Sequence, residues 1–291
     1  MANVARMLRR VVRTTGFDVV RVPAARAGTP RSAAGTGELS PGCAVDCFPG
    51  DATFAPYNPW PIPPDLGSNT TPWGRVLLEL YRARGSWPAC VSPEVGMFIH
   101  AFVRNLRPRI VVETGTCHGA STIWIASALI ANDAVLTAGS AASVIHTFDD
   151  FTLPSNPAIS TLSLYTERER LVRERFESAG VADRIRIHKG DSSTGIIAQR
   201  EAFDRAGGVQ LAFIDGDHSP EGARRDFLAV EPTLNIGGFI LLHDVWPAIC
   251  GCSGPRWLAD NIHSVGAGTY QVCDFYTAPL NYGLTILRRL A

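Results

Sequence analysis

From residue 109 to the end, the chain alternates short apolar runs with amphipathic stretches. This is the rhythm of parallel strands joined by crossover helices. RIVVE (109–113), SVIHTFD (143–149), IRIHKGD (185–191), LAFID (211–215) and FILLHD (239–244) read as five strands. Between them, STIWIASALIA (121–131) predicts a helix, and a charged stretch at 165–179 turns Val172, Phe176 and Ala179 inward. After LAFID, Ser219 suits a helix N-cap and Pro220 its first turn, with Ala223, Phe227 and Val230 at helical spacing. Asn235-Ile236-Gly237-Gly238 is expected to end that helix. A helix at about 255–264 precedes YQVCDFYT (270–277) and LTILRRL (284–290), which lie too close together for a crossover and should pair antiparallel. Upstream, helices are expected at 72–84 and 92–106, the second capped by Ser92 with Pro93 in its first turn. The pattern predicts an α/β fold: a Rossmann-like, doubly wound, mostly parallel seven-stranded sheet with an antiparallel C-terminal strand pair and helices on both faces.

Residues 1–70 have a different texture and are read as an N-terminal extension to a domain at 71–291. In MANVARMLRRVVR, Val4, Met7, Leu8, Val11 and Val12 make one stripe with arginines mostly off it, so residues 2–14 could form a basic amphipathic helix. Such a helix suits peripheral membrane contact or docking on the protein itself. Residues 24–72 are rich in Gly, Pro, Ala and Ser, and Phe48, Phe54, Tyr57 and Trp60 are expected to anchor this segment on the main domain.

Composition narrows the function. With 46% hydrophobic and 19% charged residues and no net charge, the chain reads as a globular protein without an electrostatic case for nucleic acid. Lys189 is the only lysine among 27 basic residues, which we read as coding bias. Seven cysteines without a scaffold spacing favour a reducing, cytoplasmic setting. Neither Cys43-x3-Cys47 nor Cys250-x-Cys252 has the usual spacing of a zinc site. No apolar stretch approaches the ~20 residues of a membrane-spanning helix. A homo-oligomer is expected.

The chemistry sits at strand ends. LAFIDGDH ends on Asp215, Asp217 and His218, and FILLHD on His243 and Asp244. Asp215 and Asp244 lie 29 residues apart, enough for one crossover helix, so neighbouring parallel strands would bring all five side chains to one rim. Two carboxylates held close at one rim repel unless a cation or proton offsets them, and hard divalent cations prefer oxygen ligands. The first strand opens into Glu113-Thr114-Gly115-Thr116-Cys117-His118-Gly119, where Gly115 and Gly119 permit a tight turn and close approach of backbone to ligand. Its E-x-G-x3-G spacing is not the dinucleotide fingerprint. Asp149 and Asp150 end the second strand, where an acid can accept from ribose hydroxyls, and Asp191 and Ser192 end the third.

This succession of E-x-G-x3-G, acid, Asp-Ser, FIDGDH and HD closely resembles the class I S-adenosylmethionine-dependent methyltransferases over about residues 90–291. Among them it is most similar to the metal-dependent macrocin O-methyltransferase and cephalosporin-hydroxylase-like group. The resemblance implies that Glu113, Gly115 and Gly119 line the methionine part of S-adenosyl-L-methionine, that Asp149 (or Asp150) holds the ribose, and that Asp191 and Ser192 lie near the adenine. It implies a divalent cation, Mg or Mn, on Asp215 and Asp244, with His218 in the position of the general base. In that family the second cluster often has two acids; here the first is His243, a ligand type better suited to Mn, Fe, Zn or Ni than to Mg. Asp217 would support from loop amides or beyond the ligands.

The expected function is therefore O-methylation of a hydroxyl on a sugar, glycolipid or secondary metabolite, the acceptor being a small molecule or glycan. The alternatives are a metal-dependent glycosyltransferase using the Asp215-Gly216-Asp217 motif, and a non-methylating relative that binds the same cofactor. A nucleophilic pair at Cys117 and His118 is disfavoured, because adjacent residues rarely point at each other productively. His146 and His188 are expected to be core or face residues.

Overall fold

A computed structural model describes residues 60–135, 141–153, 160–275 and 282–291. The expected helix at 2–14, the aromatic anchors Phe48, Phe54 and Tyr57 and the Cys43/Cys47 pair lie outside the described residues. Seven strands form one sheet: β1 (Ile110–Thr114), β2 (Val144–Asp149), β3 (Ile185–Lys189), β4 (Val209–Ile214), β5 (Leu234–His243), β6 (Tyr270–Phe275) and β7 (Leu284–Arg289). Their order is β3-β2-β1-β4-β5-β7-β6. The first five are parallel, while β7 runs antiparallel to both β5 and β6.

The strands hold because apolar side chains alternate between two cores. Val111, Leu211, Phe213 and Leu241 pack on one face, together with helices α1 (Pro72–Arg82), α2 (Pro93–Leu106), α3 (Ala120–Asp133) and α4 (Arg168–Ser178). Val112, Ala212, Ile214, Ile240 and Leu242 pack on the other, with α5 (Ser192–Arg205), α6 (Pro220–Val230) and α7 (Gly254–Val265). Burial on both faces explains why these strands read as unbroken apolar runs. Ser92 and Ser219 cap α2 and α6 through their side chains, each with proline in the first turn. Trp60 and Leu66 pack into the first core, Trp60 edge-on to Tyr81 at 5.7 Å.

Two local expectations change. The helix after Ser219 ends at Val230 rather than at the Gly237-Gly238 pair, because Pro232 lacks the amide to continue it and the chain tightens into a 3-10 turn at Glu231–Thr233. Strand β5 then begins at Leu234, opposite Val209, and absorbs residues 235–238 through a register shift before Phe239 meets Leu211. The charged helix at 165–179 is interrupted at Glu167, leaving one turn at Ser163–Thr166 ahead of α4.

Candidate active site

Strands β1 and β4 pair in register from Val111/Leu211 to Thr114/Ile214, and β4 pairs with β5 through Ile214/Leu242. Both acidic clusters therefore leave the sheet at the same level. A pocket of about 330 Å³ opens there, within the ~300–1,000 Å³ range of ligand sites. Its lining includes Gly115, Cys117, Asp149, Asp191 and Ser192 toward β1–β3, and Asp215, Asp217, His218, His243 and Asp244 toward β4–β5. Glu113 and Gly119 are the two expected site residues that stand behind this lining.

The glycine loop is fixed by close packing. Gly115 has φ 85°, and a side chain there would place its first carbon 2.1 Å from the carbonyl oxygen of Asp215. The amide of Asp215 in turn donates to the carbonyl of Thr114 at 3.1 Å. Gly119, at φ 84°, caps α3 against the ring of Phe176. Beneath the loop the Glu113 carboxyl is fully buried and accepts from Thr122 Oγ1 at 2.5 Å and Thr147 Oγ1 at 2.6 Å, while its Oε1 has no hydrogen-bond partner. Burial raises its pKa to about 7 against these hydroxyl bonds.

At the end of β2, Asp149 accepts from the amides of Cys117 (2.7 Å) and Phe151 (2.6 Å) and pairs with Arg168 at 3.1 Å, both side chains being buried. Burial lifts the Asp149 pKa, and Arg168 with the two amides opposes the rise. Asp150 accepts from the amide and hydroxyl of Thr152 and stands exposed. Asp191 caps α5 through the Thr194 amide at 2.8 Å, and the Ser192 hydroxyl donates to Asp226 at 2.5 Å.

The other half of the pocket is an acid–imidazole cluster. Asp215 Oδ1 lies 3.2 Å from both His218 Nε2 and His243 Nδ1. Asp244 places Oδ2 3.2 Å from His218 Nε2 and Oδ1 3.0 Å from His243 Nδ1. Asp244 takes a left-handed backbone, φ 56°, as the chain leaves β5; asparagine and aspartate tolerate that region best among residues with a side chain. Burial alone would lower His243, yet Asp244 and Asp215 beside it hold its pKa well above the usual imidazole range. Burial alone would raise Asp215, yet His243 and His218 draw it down to about 2. Each carboxylate thus stands beside a ring whose proton can balance it.

That balance is also how the site would accept a cation. Asp215, His243 and Asp244 offer ligand atoms within 4.8 Å of one another. Bonds of ~2.0–2.2 Å put neighbouring ligands of one ion ~3–3.5 Å apart, which matches the 3.0–3.2 Å contacts given above. Asp244 Oδ1 is buried and accepts no hydrogen bond of good geometry. A divalent cation would displace the proton. The donor set fits the ion that the strand-end pattern calls for. Asp217 lines the same pocket but accepts from the Ser219 amide at 2.9 Å with Arg225 at 3.5 Å and is not in the converging set, so the DGD motif does not present two converging ligands.

With this geometry in place, the comparisons point to one kind of domain. Residues 112–245 match a family model described as a methyltransferase domain. The match supports a class I S-adenosylmethionine-dependent methyltransferase domain. It is similar to a catechol O-methyltransferase from Niastella koreensis, 25% identical over 139 residues, 47% of this chain and 51% of that enzyme. The chain thus spans about half the length of that curated relative. Among solved structures it shares the fold of a putative O-methyltransferase from Klebsiella pneumoniae, with TM-score 0.51, 20% identity and coverage of 79% and 92% of the two chains. It likewise shares that of the S-adenosylhomocysteine-bound PaMTH1 from Podospora anserina, with TM-score 0.53, 16% identity and coverage of 79% and 89%. The seven-stranded, mostly parallel sheet and its antiparallel final pair agree with the sequence expectation.

Sequence reasoning passed over three contributors. Arg168 is hidden in the run Glu167–Glu169–Arg170 and has no signal of its own. Asp226 had one: it falls three residues after Ala223, on the apolar stripe of α6, where a carboxyl must be buried. It is 3% exposed, and burial lifts its pKa to about 6. Cys252 joins His218 and Asp244 from a loop. The disfavoured Cys117–His118 pair is not a nucleophilic site, since His118 is fully buried against Tyr165. His146 and His188 stack on each other away from the pocket, 3.0 Å between ring nitrogens. Among the described residues, no helix is long and apolar enough to cross a membrane.

Proposed function

We propose that this chain transfers the methyl group of S-adenosylmethionine to a hydroxyl of a small-molecule or glycan acceptor, with a divalent cation on Asp215, His243 and Asp244. The observation that carries the reading is that one pocket joins the Gly115 loop and Asp149 to the Asp215–His218–His243–Asp244 cluster. S-Adenosylmethionine, when bound, supplies a methyl group already activated on a sulfonium. The cation, when bound, supplies charge that lowers the acceptor hydroxyl's pKa.

The chain's own residues do the rest. The Gly115 loop gives the cofactor a close backbone surface, and Asp149, locked by Arg168, offers a fixed carboxylate to the ribose. Asp191 and Ser192 border the adenine end. The pocket walls hold the acceptor oxygen in line with the methyl carbon, where orientation is worth ~7–11 kcal/mol of barrier. His218 receives the hydroxyl proton, its ring oriented by Asp215 and Asp244 beside Nε2. Similarity to a catechol O-methyltransferase supports an acceptor with vicinal hydroxyls.

Calorimetry with S-adenosylhomocysteine and methyl-transfer assays against vicinal diols, with and without EDTA, test this reading. Tight binding of the product cofactor, EDTA-sensitive turnover and loss of turnover in His218→Ala with cofactor affinity kept are expected. EDTA-insensitive turnover would remove the cation from the mechanism, and failure to bind S-adenosylhomocysteine would remove methyl transfer itself.

A further inference from the structure

The residues after Asp244 fold back onto the turn that carries His218. A single helical turn, Pro247–Cys250, closes on Gly251 at φ 77°, and the chain then reverses through Cys252. It is fastened there. The Gly254 amide donates to the carbonyl of His218 at 2.9 Å, and a methyl group at Gly254 would lie 2.3 Å from that same oxygen. The result is a juxtaposition that the Cys-x-Cys spacing does not suggest. A ring nitrogen of His218, a carboxylate oxygen of Asp244 and Sγ of Cys252 all lie within 4.8 Å of one another.

This donor set differs from the one facing β4. Asp244 divides its two oxygens, with Oδ1 toward His243 and Oδ2 toward His218. The one carboxylate thus faces both imidazoles and can contribute an oxygen to either donor set. Thiolate, imidazole and carboxylate together make a three-ligand set with an open position, the pattern of zinc-class sites, and sulfur discriminates against Mg²⁺. We infer that His218, Asp244 and Cys252 form a second cation site, selective for a thiophilic divalent ion of the zinc class and sharing Asp244 with the first. Because it takes the nitrogen of His218, an ion bound there suppresses proton removal. That consequence rests on the function proposed above; the site itself rests on geometry.

The test uses the full-length protein and Co²⁺ as a spectroscopic substitute for zinc. Thiolate ligation gives a near-ultraviolet sulfur-to-cobalt charge-transfer band. The band should appear in the wild type, vanish in Cys252→Ser and His218→Ala, and persist in Cys250→Ser, with far-ultraviolet circular dichroism confirming the fold of each variant. Cobalt affinity should fall about tenfold or more in Cys252→Ser. Cobalt bound without the band, a band that survives Cys252→Ser, or no cobalt binding would each overturn the site. This readout needs no turnover, so failure of methyl transfer leaves it intact and decidable. Where turnover is observed, Zn²⁺ should inhibit it, and Cys252→Ser should raise the half-inhibitory concentration about tenfold; zinc inhibition unmoved by that substitution would overturn the suppression.

Discussion

The two halves of the pocket treat their acids in opposite ways. At the ends of β2 and β3 the carboxyls are answered by donors that the fold itself supplies: two amides and Arg168 for Asp149, the Thr194 amide for Asp191. At the ends of β4 and β5, Asp215 and Asp244 are met instead by two imidazoles at 3.0–3.2 Å, and among the described residues no arginine or lysine pairs with either. Groups whose charge is settled internally can present a fixed surface to a neutral or cationic ligand. Groups whose charge is balanced only by a titratable ring can exchange that proton for an ion. On the function proposed above, the contrast separates a binding half from a reacting half.

The largest effect should come from the reacting half. Asp215→Ala is expected to lower methyl transfer on the order of 10³-fold, since a lost cation forfeits several kcal/mol of charge stabilisation. Affinity for S-adenosylhomocysteine should stay within about threefold in the same variant. Steady-state kinetics beside calorimetry check this, and an equal loss in both would erase the division into halves.

In the binding half the cost should fall on the fold. Asp149→Ala leaves Arg168 buried without its counter-charge, with the Thr152 carbonyl as its remaining acceptor, which costs about 3 kcal/mol. Urea denaturation reads this directly, together with weakened cofactor binding. Unchanged stability would mean that Arg168 finds other acceptors.

A smaller effect concerns Glu113. Its folded pKa, about 7, stands above the ordinary 4.5. The native state therefore holds a proton that the unfolded chain releases, and stability present below pH 4.5 is lost as pH rises through 7. Glu113→Gln should remove that slope, making the variant more stable than wild type at pH 8 by roughly 1–3 kcal/mol. Parallel pH–stability curves for the two proteins would contradict the assignment.

Smallest of all, Ser219→Ala removes the cap from α6 beside His218 and should cost ~1 kcal/mol by thermal denaturation. A larger drop in turnover than in stability would show that the cap also holds the His218 turn.

Much of this was legible in the chain. Strands buried on both faces announce themselves as apolar runs, and β1–β5 were placed within a few residues at their carboxyl ends, where the site is built. The start of β5 was not, because a Gly-Gly pair reads as punctuation while a register shift depends on the neighbouring strand. The rim itself followed from spacing: 29 residues between Asp215 and Asp244 imply one crossover. Partner choice did not follow. That Asp149 meets Arg168, or that Cys252 swings back to His218, depends on where loops and helices dock, and no local periodicity encodes it. Asp226 lies between these cases, visible as a carboxyl on an apolar stripe but silent about Ser192.

The contact between Gly115 and Asp215 has a thermodynamic consequence. A loop that would touch cofactor rests with no spare room on the backbone of a residue that would touch the ion, so neither can shift without the other. Any change that occupancy of one site makes in affinity at the other is then the same factor in both directions, within the roughly threefold change expected above for Asp215→Ala. The tie between cofactor and cation is then set by a missing side chain.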